Sequence, residues 1–260
     1  MKRKLQALAV LLLFGVAKVP VEAYLTRQLL AAKLLNPPVD MGMRENLGQM
    51  GFAATLGGLR SLIASVTYLQ AAHEWELVNW GKVDQLFQIT TRLQPRFPNY
   101  WDEAAWHMAS NAASSYLTNE KLDPALRTKL AEQHFRRGLE IIHEGLRVLP
   151  RESKLWVRQA EIYDLTRVPG MRDHAKAGDA YLKAYECSNF ALYARLAGYQ
   201  YAQTNDPNLW RKAHLILLDA YRKRQRPPSV ISTLKSLEER LNIPVMQRIP
   251  DVAPRPPLRR

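Results

Sequence analysis

Six histidines stand at positions 73, 107, 134, 143, 174 and 214, and no two are four residues apart. That spacing would aim two imidazoles at one metal ion from a single helix face. No Cys-x-x-Cys pair, no Gly-x-Ser-x-Gly elbow and no Gly-rich phosphate loop occurs either. The chain thus offers no recognisable catalytic centre, and no cofactor or metal is expected. Carboxylates do occur side by side, as Asp102-Glu103 and Glu238-Glu239. Adjacent residues on a helix point about 100° apart, so neither pair can work as an acid/base dyad, and both are expected to be solvated. Cys187 is the single cysteine, which rules out an intrachain disulfide and reads as a small buried hydrophobe.

The residue that stands out chemically is Arg60, alone in the otherwise uncharged stretch 53–72. A buried arginine needs a partner, and Glu45, Glu74, Asp102 and Glu103 are the carboxylates on offer. A structural ion pair is the plain reading. The sharper one puts Arg60, Trp101, Trp106, His107 and Asn111 around one pocket for a polar ligand. An envelope enzyme or accessory subunit acting on a glycan or lipid-linked substrate would centre on Trp106 and His107.

Elements that could position these residues are helical. Gly is sparse, alternating apolar and polar runs are missing, and Ala, Leu, Gln, Arg and Glu abound. With 47% hydrophobic residues in 260, the chain can bury a substantial core. The formal charge of +13 suggests nucleic acid until its placement is considered. Residues 2–4 supply three positives, and residues 221–260 hold ten Lys or Arg against Glu238, Glu239 and Asp251. The body between is close to neutral, with no basic stripe interleaved with aromatics. Nucleic acid is therefore not the expected partner.

Met1 to Lys4 is a basic start and Leu5 to Ala17 is uncharged and apolar but for Gln6, the layout of a secretory signal or a signal anchor. An uncleaved span from Leu5 to about Leu25 reaches the roughly 20 residues a bilayer needs, with Lys18 snorkelling outward. The amino terminus would then be cytoplasmic and the rest would lie outside the cytoplasm. Cleavage near Ala23, leaving a secreted or periplasmic protein, is the alternative. A second apolar stretch, Gly51 to Ala72, carries Arg60 near its middle and reads as a buried helix.

Aromatic residues, small residues and prolines recur in one order along the remainder. Trp156, Ala160 and Tyr163 share a helix face, and Ala177, Tyr181 and Ala184 repeat the spacing on a second helix. Val168-Pro169-Gly170 lengthens the turn between them. Ala194, Gly198 and Tyr201 pair with Ala213, Leu217 and Ala220 across Asn205-Asp206-Pro207, with Asp206 a helix cap. Trp101, Ala105 and Met108 pair with Gly138, Ile142 and Gly145, separated by an insertion holding Asp123-Pro124. A first unit keeps only Val83, Phe87, Thr90 and Pro95. The series Trp75, Trp80, Trp101, Trp106 and Trp156 is expected in the packing between helices.

This order of tryptophan, small residue and tyrosine, followed by alanine, aromatic and alanine, resembles the tetratricopeptide repeat. The resemblance implies an all-α solenoid of antiparallel helical hairpins. Three stretches resemble a finer group of bacterial proteins in which a membrane anchor precedes degenerate tetratricopeptide-like helices and no activity is assigned. They are Arg44-Glu45-Asn46-Leu47-Gly48-Gln49, Leu56-Gly57-Gly58-Leu59-Arg60, and Leu93-Gln94-Pro95-Arg96 leading through Trp101 to Ala105-Trp106-His107-Met108.

The resulting organisation is an anchor and extension over 1–35, a connecting segment over 36–59, about four hairpin units over 60–225, a capping helix over 226–243, and a Pro-rich basic tail over 244–260. In the capping helix Val230, Leu234, Leu237 and Leu241 form the buried stripe, and Glu238 falls elsewhere. Binding in the superfamily's usual mode would use a groove built from first helices. It would comprise Asn99, Asp102 and Trp106, then Lys154, Arg158 and Glu161, then Arg195, Tyr199 and Gln203. The expected function is a non-enzymatic scaffold or adaptor of the bacterial envelope that holds a peptide or a helix of another protein.

Overall fold

The positions of proline and aspartate largely decide where the helices begin. Pro98, Pro124, Pro207 and Pro228 each sit in a first helical turn, where the missing N–H is no loss. Asp123, Asp173 and Asp206 precede helices and accept hydrogen bonds from first-turn amides, and Glu152 does the same for Lys154. The computed structural model describes residues 59–250, together with Lys18, Pro20, Ala23, Tyr24, Leu25 and Gln28, which are helical and exposed.

Ten α-helices follow in order from residue 60: α1 (Arg60–Glu76), α2 (Trp80–Leu93), α3 (Pro98–Trp106), α4 (Ala113–Leu117), α5 (Pro124–Val148), α6 (Ser153–Leu165), α7 (His174–Ser188), α8 (Ala191–Ala202), α9 (Pro207–Arg222) and α10 (Pro228–Arg240). No strand occurs among the described residues. A π-helical turn, His107–Ala112, joins α3 to α4 without leaving helical backbone geometry. Five turn residues among those described take left-handed backbone: Gly170 (φ +72°) after α6 and Asn189 (φ 55°) after α7, together with Val78, Arg224 and Asn242 after α1, α9 and α10.

Successive helices pack against one another, α3 and α4 through the π turn that joins them, and α3 also meets α5 and α6 while α8 meets α10. Small residues set how closely they approach. A Cβ on Gly145 would lie 2.8 Å from Trp101 Cγ, and one on Gly178 would lie 2.5 Å from the Tyr201 ring. Most residues expected to face inward do so: Ala160, Ala177, Ala184, Ala213 and Leu217 are fully buried, and Val83, Phe87 and Thr90 are buried in α2, whereas Ala194 and Leu241 are half-buried. One apolar cluster runs from α1 to α7 and a second from α6 to α10, with Trp156 packed against both.

A further device recurs at the fourth position of three helices. Trp101, Trp156 and Trp210 each donate their indole N–H to the carbonyl six residues back, of Pro95, Pro150 and Thr204, at 2.8, 2.9 and 2.6 Å. The ring thereby staples each helix start to the turn before it. This gives the indole a polar partner while its body packs apolar surface.

Several expectations change. The stretch around Arg60 is not a buried helix, since α1 buries Ala64, Thr67 and Ala71 but presents Leu62, Val66 and Leu69 to the outside. Asp102 and Glu238 are not solvated: they are 3% and 1% exposed, because each accepts hydrogen bonds from groups on other segments. Cys187 is half-buried, with its thiol 3.9 Å from the Pro150 carbonyl. Trp80 and Trp101 are core residues, Trp106 and Trp156 are half-buried, and Trp75 is exposed. The tail does not become extended at Pro244. Val245–Gln247 form a 3-10 turn, and Ile249 is buried with its amide donating to Glu238 Oε1 at 3.0 Å.

Among the described residues, no helix is long and apolar enough to cross a membrane. Leu5 to Ala17, the rest of the expected anchor around Val21 and Glu22, the stretch Arg44 to Gln49, Gly57-Gly58, and residues 251–260 lie outside the described residues.

Candidate partner-binding surface

Six of the nine groove residues come together where α3 meets α6. Asp102 is one turn into α3, and its carboxylate accepts from Arg158 Nε at 2.6 Å and lies 3.0 Å from Lys154 Nζ. The same ammonium donates to Asn99 Oδ1 at 2.8 Å, and Arg158 Nη1 donates to Glu161 Oε2 at 2.8 Å. The guanidinium also lies over the Trp106 ring, 4.6 Å from its centroid. Positions 154, 158 and 161 share one face of α6, as 99, 102 and 106 share one face of α3. Opposite charges on the facing stripes lock the two helices in register. Burial raises the Glu161 carboxyl above its ordinary value, against the pull of Arg158.

The remaining three groove residues belong to another contact. Arg195 donates to Gln225 Oε1 at 3.0 Å and the Tyr199 hydroxyl pairs with Ser229 at 2.8 Å, linking α8 to the start of α10. Gln203 is exposed at the end of α8. Six of the groove residues therefore satisfy one another between α3 and α6, while Arg195 and Tyr199 take partners from outside the set.

Arg60, Trp101, His107 and Asn111 do not form one pocket. Trp101 faces Gly145 of α5, whereas His107 lies against Trp75 and Phe87, with ring centroids 5.2 and 5.6 Å away. Asn111 pairs with His107 Nδ1 at 3.0 Å across the π turn. Arg60 opens α1 and Trp75 stands near its end, roughly 22 Å along the axis. Burial pushes the His107 imidazole below its ordinary value, against the pull of Glu103, and so disfavours its charged form. Of the carboxylates considered for Arg60, Glu45 lies outside the described residues, while Glu74 engages Lys82 and Asn79, Asp102 engages α6, and Glu103 engages Tyr68. Trp106 faces Arg158, away from the His107 neighbours, so the two residues proposed for chemistry address different parts of the molecule.

Two features were missed by sequence reasoning. Tyr68 of α1, Tyr100 of α3 and Phe97 before it form an aromatic-walled groove, with centroid distances of 5.4 Å for Tyr68–Tyr100 and 4.6 Å for Phe97–Tyr100. Glu103 at its floor accepts from the Tyr68 hydroxyl at 2.6 Å, and this bond, then burial, pushes the phenol up to about 12. The second feature is the outward face of α1. Leu62, Val66 and Leu69 are 58%, 39% and 66% exposed, and their i, i+4, i+7 spacing makes one apolar stripe beside the groove. That spacing was visible in the sequence, but it equally describes a helix face turned inward.

No protein-family model matches the chain, and no curated protein matches it.

Proposed function

We propose that this protein is a binding scaffold rather than an enzyme, a tetratricopeptide-like solenoid of helical hairpins that holds another protein on the surface formed by α1 and α3. The observation that carries this reading is the apolar stripe Leu62, Val66 and Leu69 running beside the Tyr68–Phe97–Tyr100 groove. Contiguous apolar surface of this kind marks docking sites. The hairpin-by-hairpin packing and the recurring small-residue contacts support the solenoid. The basic start and the apolar stretch from Leu5 support a membrane tether that places the helices on the non-cytoplasmic side of a bacterial envelope.

Asn99, Asp102, Trp106, Lys154, Arg158 and Glu161 serve this function by fixing the angle between α3 and α6. They hold the groove's α3 wall in place and leave the apolar stripe and the aromatic rings as the contact surface. Crosslinking in native membranes, followed by identification of what is joined to the full-length chain, tests the reading. A stoichiometric protein adduct is expected. A chain that crosslinks to no protein would contradict it.

A further inference from the structure

We infer that the aromatic groove between α1 and α3 is a receptor for the Pro- and Arg-rich carboxy terminus of a second copy of this chain. The groove presents Tyr68, Phe97 and Tyr100 as its walls, Leu69 at its edge, and Asn99 and the Glu103 carboxylate as polar groups. Aromatic-walled grooves with a nearby acid suit a polyproline II segment: proline rings lie between the aromatic faces, and a cation on the same segment meets the carboxylate. Such a segment loses little entropy on binding, because its backbone is extended before it docks. Phe97 is 42% exposed, an aromatic wall open to solvent.

The chain carries a segment of this chemistry. Residues 250–260 read Pro-Asp-Val-Ala-Pro-Arg-Pro-Pro-Leu-Arg-Arg. Pro254 and Pro257 are three apart, one turn of a polyproline II helix, and Arg259 follows two residues later. Three arginines against Asp251 make the segment cationic, complementary to Glu103.

The structure also fixes where this segment starts. Glu238 binds the Ile249 amide at 3.0 Å and Arg248 Nε donates to the Ile243 carbonyl at 2.7 Å, so the chain leaves from α10. The groove lies on α1 and α3. Between α3 and α10 stand the layers of α6 and α8, roughly 10 Å per layer. Ten residues of polyproline II span roughly 31 Å. Crossing those layers takes about as much extended chain as residues 251–260 supply, so these residues are better placed to lie in the groove of another molecule. A contact of carboxy-terminal tail with amino-terminal groove is heterologous and generates chains or rings of copies.

This inference deepens the scaffold reading by naming one partner, and it is separately testable. Sedimentation of the full-length protein, in detergent, across a concentration series should show self-association that deletion of residues 251–260 abolishes. A labelled peptide of residues 249–260 should bind the tail-deleted chain. Phe97→Ser, and independently Pro254→Ala with Pro257→Ala in the peptide, should each weaken binding by roughly tenfold or more. The peptide changes touch no folded element, so a folding defect cannot produce their effect. Glu103→Arg should lose binding to the native peptide and regain it with Arg255→Glu and Arg259→Glu. Self-association that survives the tail deletion, or a peptide that binds the Phe97→Ser chain as well as the wild type, would overturn the inference. Those outcomes would leave the scaffold reading standing if another protein still crosslinks to α1.

Discussion

Asp102 and Arg158 meet at 2.6 Å across two helices whose starting residues are 55 positions apart, and the carboxylate is 3% exposed. A charge so far from water is tolerable only because Arg158 and Lys154 both attend it. Asp102→Ala would leave Arg158 half-buried with one carboxylate fewer, and should cost about 3 kcal/mol, read as a fall in denaturation midpoint. Lys154→Ala removes an exposed partner and should cost less than about 1 kcal/mol. Equal losses from both would show that Asp102 is not the anchor of the contact.

Helix spacing yields a second expectation. A Cβ on Gly145 would press into Trp101 at 2.8 Å, so Gly145→Ala should destabilise by about 1 to 3 kcal/mol. Gly81 in the first turn of α2 has nothing within 4 Å, and Gly81→Ala should be neutral or stabilise by up to about 1 kcal/mol. Thermal or urea denaturation of the pair separates a packing effect from a general intolerance of substitution.

The His107 imidazole, pushed below its ordinary value by burial, predicts a pH response. The unfolded chain takes up that proton near the ordinary value of 6.5, while the folded chain resists it. The contribution is fully present above that value and is lost as pH falls toward the folded-state value. Melting temperature should therefore decline between pH 7 and pH 5, and His107→Phe, which keeps a ring against Phe87, should flatten the decline. An unchanged slope would rule out His107 as a contributor. His134, stacked on Tyr116 at 4.9 Å and also depressed by burial, should act in the same direction.

Glu238 makes a fourth case. Its Oε1 accepts from the Ile249 amide and lies 3.6 Å from His214 Nε2. Glu238→Ala should cost about 2 kcal/mol and release residues 244–250 from α10. Hydrogen exchange at Ile249 would report it: protection in the wild type, loss in the variant, with α9 and α10 still protected.

Much of the helical scaffold could be read from residue types alone. Ala160 and Tyr163 are buried with Trp156 half-buried beside them, and the Ala213–Leu217–Ala220 face is buried, because small and aromatic residues at helical spacing have few other uses. Asp206 caps α9, because its side chain precedes a proline that cannot accept the role. The site was less legible. Asp102 and Lys154 are 52 residues apart in sequence, and no local pattern announces that their faces meet. Glu238 falls beside the apolar stripe of α10 and by spacing alone reads as solvent-facing, since its partner, the Ile249 amide, is a backbone group in a segment whose prolines suggest extension. The exposure of the α1 stripe is not legible for a different reason: periodicity gives a helix its two faces but does not say which one has a neighbour.

The central claim is that partners dock on the face of α1 beside the aromatic groove. Its most direct test places a photocrosslinking residue at Leu69 and, separately, at Leu215 of α9, which is equally exposed at 67% against 66%. Irradiated in native membranes, the Leu69 chain should form a discrete, stoichiometric protein adduct that the Leu215 chain does not. An absence of adduct from Leu69, or the same adducts from both positions, would contradict the account.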